Sequence, residues 1–148
     1  MGRTRRLAGF PYRGRYRYLL TFCARPHEQP FISKDLVTQL VADIQVSGAD
    51  TSFDLIAHCF MTDHVHLVIE GLNDASELGA FVSLAKQRCE HTARRRNIYP
   101  LWRRGYHDRI LRQAEPTSIV VRYVLDNPRR AGLKPHRHEY PFCGAKCR

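Results

Sequence analysis

The amino-acid sequence predicts an α+β sandwich in which an antiparallel sheet is covered by helices. Segments rich in β-branched and aromatic residues alternate with segments of helical apolar period, and they come in the order β-α-β-β-α-β-α. The length of 148 residues suits one domain, since a chain of that size buries roughly 70% of the surface its unfolded form exposes. Hydrophobic residues make up 43% and charged residues 26% of the chain, the balance of an ordinary globular protein. No stretch approaches the ~20 uninterrupted apolar residues of a membrane span.

The first stretch, 1–15, alternates arginine with Gly, Phe, Pro and Tyr and is expected to be a basic N-terminal arm. It settles on a nucleic-acid backbone with Tyr12 free to stack on bases, or it is a plain tail. Arg17 to Cys23 (RYLLTFC) has the composition of a central strand. Ser33 can cap a helix running to about Val46, with Leu36, Val37, Leu40, Val41 and Ile44 as its apolar stripe and Gly48 as its stop. Phe53 to Phe60 reads as a strand, MTD as a turn, and His64 to Glu70 as the hairpin partner. Ser76 is expected to open a second helix through about Arg96, with ARRR at its end, where cations suit the helix dipole. Tyr106 to Leu111 reads as a fourth strand. Pro116 to Asp126 reads as a third helix, halted by Asn127-Pro128. This is the ferredoxin-like arrangement. No repeat or low-complexity linker divides the chain, so 16–133 is expected to form one domain, followed by a tail over 134–148.

The net charge is +10, and of 24 basic residues only four are lysine. Arginine's planar fork takes phosphate oxygens in pairs and stacks on bases, so a nucleic-acid partner is expected over a merely solvated surface. The basic start lacks the apolar stretch of a secretory signal, which points to the cytoplasm and the nucleoid and to no membrane partner. Five cysteines, 23, 59, 89, 143 and 147, are odd in number and read as reduced core thiols rather than a disulfide framework.

Strand side chains alternate faces, so His64 and His66 in MTDHVHLVIE share a face with Val68 and Glu70, while Val65, Leu67 and Ile69 take the other. Two imidazoles ~7 Å apart along one face can converge on one metal ion, given a third ligand from elsewhere. The plain alternative is two histidines exposed on a hairpin or hydrogen-bonded in the core. Tyr123 and Asn127 are four residues apart and lie on one helical face if the helix reaches that far. An amide oxygen can complete a metal shell, and a tyrosine beside it can be a nucleophile; a core tyrosine before a helix-ending Asn-Pro is the structural alternative. Together these groups describe phosphodiester transesterification, in which a tyrosinate attacks phosphorus and a 3′ hydroxyl leaves. There is no Walker-type phosphate loop, and a phosphotyrosine link would let strands rejoin without ATP. Asp63 adds a carboxylate that can tune His64, approach the metal, or simply shape the turn.

The combination of MTDHVHLVIE, LWRRGYHDRIL and VRYVLDNPRRAGL resembles the single-tyrosine transposases with an HUH motif, in the IS200-like branch called REP-associated tyrosine transposases. The likeness runs from about Tyr16 to Leu133. It implies that His64 and His66 bind Mg²⁺ or Mn²⁺ with Asn127 in the place of a further polar ligand, and that Tyr123 attacks DNA. The implied substrate is single-stranded DNA beside small imperfect hairpins, cleaved through a 5′-phosphotyrosine intermediate. Arg13, Arg15, Arg94, Arg95, Arg96, Arg103, Arg104, Arg109 and Arg112 would contact that DNA, and the protein would act as a monomer or a homodimer. The alternatives are a catalytically silent hairpin-DNA binder and an RNA-binding module, for which the aromatic recognition motif is not apparent. In HRHEYPFCGAKC, His136, His138, Cys143 and Cys147 stand close together, but at a spacing that matches no strong zinc pattern.

Overall fold

The computed structural model describes residues 6–133 and 140–146. Along these residues run β1 (Arg17–Cys23), α1 (Lys34–Thr51), β2 (Phe53–Phe60), β3 (His64–Gly71), α2 (Leu78–Arg94), β4 (His107–Ile110), α3 (Thr117–Leu125), α4 (Asn127–Arg130) and β5 (Cys143–Ala145). The sheet has the antiparallel order β4-β1-β3-β2-β5. Its first four strands keep the ferredoxin-like order, and β5 extends the β2 edge. None of the described helices is long and apolar enough to cross a membrane.

Alternation sorts the side chains onto two faces. Tyr18, Leu20 and Phe22 of β1 and Val65, Leu67 and Ile69 of β3 join Leu36, Leu40 and Ile44 of α1 and Phe81 and Ala85 of α2 in the main core. Each fully buried Leu or Phe there contributes roughly 1.5–3 kcal/mol. The other face carries Leu19, Thr21 and Cys23 of β1 and His64, His66 and Val68 of β3. A second core forms on it where Val120 and Val124 of α3 meet Ile56, Val68 and Leu111. Arg17 fixes the start of α3: its guanidinium donates to the carbonyls of Glu115 (2.7 Å) and Arg112 (2.6 Å) and to Thr117 Oγ1 (2.7 Å).

Several local expectations are corrected. Ser33 does cap α1, its Oγ accepting from the Leu36 amide, but the helix passes Gly48 and ends at Thr51. A Cβ on Gly48 would lie 2.7 Å from the Phe53 carbonyl oxygen, so the glycine admits the start of β2 against the helix. Ser52, at φ 62°, turns the chain instead. Glu77, not Ser76, caps α2, accepting from the amides of Gly79 and Ala80. Ser76 is buried and ties its loop to the Ser52 carbonyl. Asn127-Pro128 does not end helical structure; Pro128 sits in the first turn of α4, where its missing N–H is not needed.

The expectation of reduced thiols fails for one pair and holds for Cys23 and Cys89. Cys59 and Cys143 stand opposite each other in the β2–β5 register and form a disulfide. Eighty-four residues separate them, and only the return of β5 to the sheet edge brings them together. Cys23 and Cys89 are free thiols. His136, His138 and Cys147 lie outside the described residues, as does the 1–5 part of the expected arm. Residues 6–15 pack at the Gly71 end of β3, where Gly14 donates to the Ser76 carbonyl and Tyr12 accepts from the Leu78 amide. Tyr12 is therefore buried and not a stacking surface, and its hydroxyl accepts from the Leu7 amide.

Candidate active site

The two histidines stand on the α3 side of the sheet, and each has a partner for its Nδ1. Register places Thr21 across from His66 and Cys23 across from His64. Thr21 Oγ1 lies 2.9 Å from His66 Nδ1, and Asp63 Oδ1 lies 2.7 Å from His64 Nδ1. The rings are 4.8 Å apart, centroid to centroid, and nearly perpendicular. With both Nδ1 atoms occupied, Nε2 is the nitrogen each ring has left to offer a ligand. Burial, aided by the charges of His64 and Arg130, pushes the His66 pKa down to about 4. His66 is thus neutral at pH 7, the form in which imidazole ligates a metal. Asp63 is held where it can serve, because its carbonyl accepts from the Ala24 amide across the mouth of the hairpin.

A cavity of about 560 Å³ opens in front of the pair, walled by Thr21, Arg25, His27, Glu28, Asp63, Arg103 and His107 among others. His107 is in register with Thr21 on β4, so His107, Thr21 and His66 form one row across three strands. The Arg103 wall is pinned by α2. Lys86 Nζ donates to the carbonyls of Arg103 (3.0 Å) and Gly105 (2.7 Å), and the Glu90 carboxylate accepts from the Leu101 and Trp102 amides. Arg103 Nε is buried without a hydrogen-bond partner among the described residues.

Tyr123 is 56% exposed on α3, whose inward residues Val120 and Val124 rest on the face that carries the histidines. Asn127 opens α4, and its Oδ1 accepts from Arg130 Nη2 at 2.8 Å. An amide oxygen has two lone pairs, so this bond leaves room for a second partner. Among the described residues no three His, Cys, Asp or Glu side chains form a metal-holding group. A cation shared by His64 and His66 would therefore draw its remaining ligands from an amide such as Asn127, from water or from substrate. Two imidazole nitrogens with oxygen donors nearby fit a divalent ion.

The arginines named from the sequence scatter. Arg103 reaches the cavity, and Arg104 is exposed beside it. Arg109 pairs with Glu115 at 2.9 Å and Arg96 with Asp35 at 3.1 Å. Arg94 covers the Tyr99 ring, while Arg95 and Arg112 are exposed. Arg13 and Arg15 are exposed at the Gly71 end of β3, away from His64. Sequence reasoning missed Thr21, His107 and Arg130. The first two are visible only through strand register. Arg130 carries a signal, standing seven residues after Tyr123 and three after Asn127, which is helical spacing.

No family model and no curated protein sequence matches the chain. The solved structures similar to this chain include two that bear on its fold. One is a REP-associated tyrosine transposase bound to a REP hairpin, with TM-score 0.77 and 17% identity, covering 97% of this chain and 82% of that one. The other is a candidate transposase from Deinococcus radiodurans R1, with TM-score 0.53 and 20% identity, covering 84% of this chain and 97% of that one. At these identities the likeness establishes the fold.

Proposed function

We propose that this chain is a transposase-like enzyme of the REP-associated tyrosine kind, a metal-dependent single-stranded DNA endonuclease and strand transferase that acts beside DNA hairpins. The observation that carries the reading is the shared face: α3, with Tyr123, packs on the side of the sheet that presents His64 and His66, whose Nδ1 atoms are both occupied. The likeness to a transposase bound to a REP hairpin supports the DNA partner, as does the arginine-dominated charge.

Mg²⁺ or Mn²⁺, held by His64, His66 and Asn127, would supply Lewis-acid polarisation of a phosphate oxygen. The chain's own groups do the rest. Tyr123 Oη forms a bond to phosphorus as the bond from phosphorus to the 3′ oxygen breaks. The tyrosine's proton ends on that oxygen, leaving a 3′ hydroxyl and a 5′-phosphotyrosine. Thr21 and Asp63 hold the imidazoles in one orientation, and Arg103 lines the cavity as a donor to the DNA backbone.

Labelled single-stranded hairpin DNA incubated with the protein and Mg²⁺ or Mn²⁺ is expected to yield a covalent adduct. Tyr123→Phe is expected to abolish it while DNA binding persists. An adduct that survives Tyr123→Phe removes Tyr123 as nucleophile. Hairpin binding with no cleavage under either cation replaces the enzyme reading with that of a silent DNA binder.

A further inference from the structure

The Arg130 guanidinium lies over the Tyr123 ring, 4.1 Å from its centroid. Its Nη2 donates to the Tyr123 carbonyl at 2.7 Å and to Asn127 Oδ1 at 2.8 Å. Capping the last turn of α3 accounts for the carbonyl bond. It does not account for the other two contacts, which hold an exposed cation over an exposed tyrosine and beside the amide of the candidate site. Both acceptors are served by Nη2. Nη1 and Nε have no partner among the described residues, so N–H donors remain that phosphate oxygens can take.

We infer that Arg130 is a catalytic residue whose unpartnered Nη1 donates to the non-bridging oxygens of the DNA phosphate that Tyr123 attacks. The inference rests on Tyr123 being the nucleophile. Stacking fixes the guanidinium relative to the ring, so a phosphate seated on it arrives beside the tyrosine. The cation also offsets the negative charge that gathers on those oxygens as the new bond forms, where a single donor is typically worth about 10²–10³ in rate.

Arg130→Gln and Arg130→Lys are compared with the unaltered protein on single-stranded REP-type hairpin DNA with single-stranded flanks and Mn²⁺. In Arg130→Gln the single-turnover adduct rate at saturating DNA is expected to fall about 10²–10³-fold, while hairpin affinity changes much less. Arg130→Lys, which keeps the charge but not the planar guanidinium over the ring, should recover part of the rate. Binding is measured in a Tyr123→Phe background, where adding Arg130→Gln should lessen the slope of log affinity against log salt by about 0.7, one phosphate contact on a single strand. A purely structural cap would move neither that slope nor the split between rate and affinity. Should Arg130→Gln melt early, Arg130→Lys carries the rate test, since loss of the stacked planar donor group alone is expected to slow it.

A variant rate within threefold of the unaltered protein overturns the role of Arg130 and leaves Tyr123 as nucleophile untouched. If the unaltered protein forms no adduct at all, the proposed function falls and the salt slope decides alone. An unchanged slope then overturns the phosphate contact, and a reduced slope upholds it as a binding contact.

Discussion

Thr21→Val removes one hydroxyl from the row behind His66 and almost nothing else. Valine matches threonine in shape and in β-propensity, so β1 keeps its pairing with β3 and β4. The 2.9 Å contact to His66 Nδ1 disappears, in surroundings buried enough to push that imidazole's pKa down to about 4. A hydrogen bond of this kind contributes about 1 kcal/mol net, and leaving its buried partner unsatisfied costs about 1–3 kcal/mol. The larger effect falls on orientation. With Nδ1 no longer held, the ring can rotate and exchange tautomers, and Nε2 is aimed at the metal for only part of the time. Loss of such an outer partner typically weakens metal binding 10–100-fold. Calorimetric titration with Mn²⁺ should show that loss in Thr21→Val, and Thr21→Ser, which restores the hydroxyl, should recover most of it. Urea unfolding run in parallel reports any general loss of stability. Mn²⁺ affinity in Thr21→Val within twofold of the unaltered protein would refute the view that Thr21 sets the aim of His66.

Two further outcomes follow from the same face and its neighbouring edge. The Cys59–Cys143 disulfide spans 84 residues, for which chain entropy predicts stabilisation of roughly 4–5 kcal/mol. Urea unfolding should therefore shift to lower denaturant on adding a reductant, while Cys143→Ser is insensitive to it; a change under about 1 kcal/mol would show that β5 is held without the bond. His58 is half-buried, and desolvation lowers its pKa to about 4, below the ~6.5 of an unfolded chain. The unfolded chain thus takes up the proton first as pH falls, so the stabilisation is whole above pH 6.5 and is lost toward pH 4. The difference in unfolding free energy between the native sequence and His58→Phe should shrink by about 3 kcal/mol over that range, and a difference that stays flat removes His58 as the cause.

Elements set by local pattern were legible from the residues alone. β1 and β2 run between the residues that composition marks, and the sharing of a face by His64 and His66 follows from period two. What escaped was set by contact between distant segments. Gly48 reads as a helix stop until the Phe53 carbonyl beside it is known. Cys143 reads as a free thiol until β5 meets β2. Thr21 is an ordinary strand threonine until register puts it opposite His66. Arg130 is within reach by helical spacing, but Asn127-Pro128 reads as the end of helical structure and hides the spacing that continues after it.

The aim of the histidine pair is enforced by residues that do no chemistry. A one-residue slip of β3 would send His64 and His66 into the main core and turn Val65, Leu67 and Ile69 outward. Those three are fully buried now, and each one left exposed where α3 does not cover the other face costs roughly 1.5–3 kcal/mol, before counting the burial of imidazoles among Phe22, Phe60 and Phe81 without partners. The slipped strand would also have to abandon pairing on both sides, since β3 is central between β1 and β2. Arg17, the first residue of β1, adds the second constraint by tying the start of α3 to the same sheet. The strand register aims the imidazoles and the Arg17 clamp anchors the helix that carries Tyr123, so each side of the site is set by core packing and backbone anchoring rather than by a ligand drawing it into place.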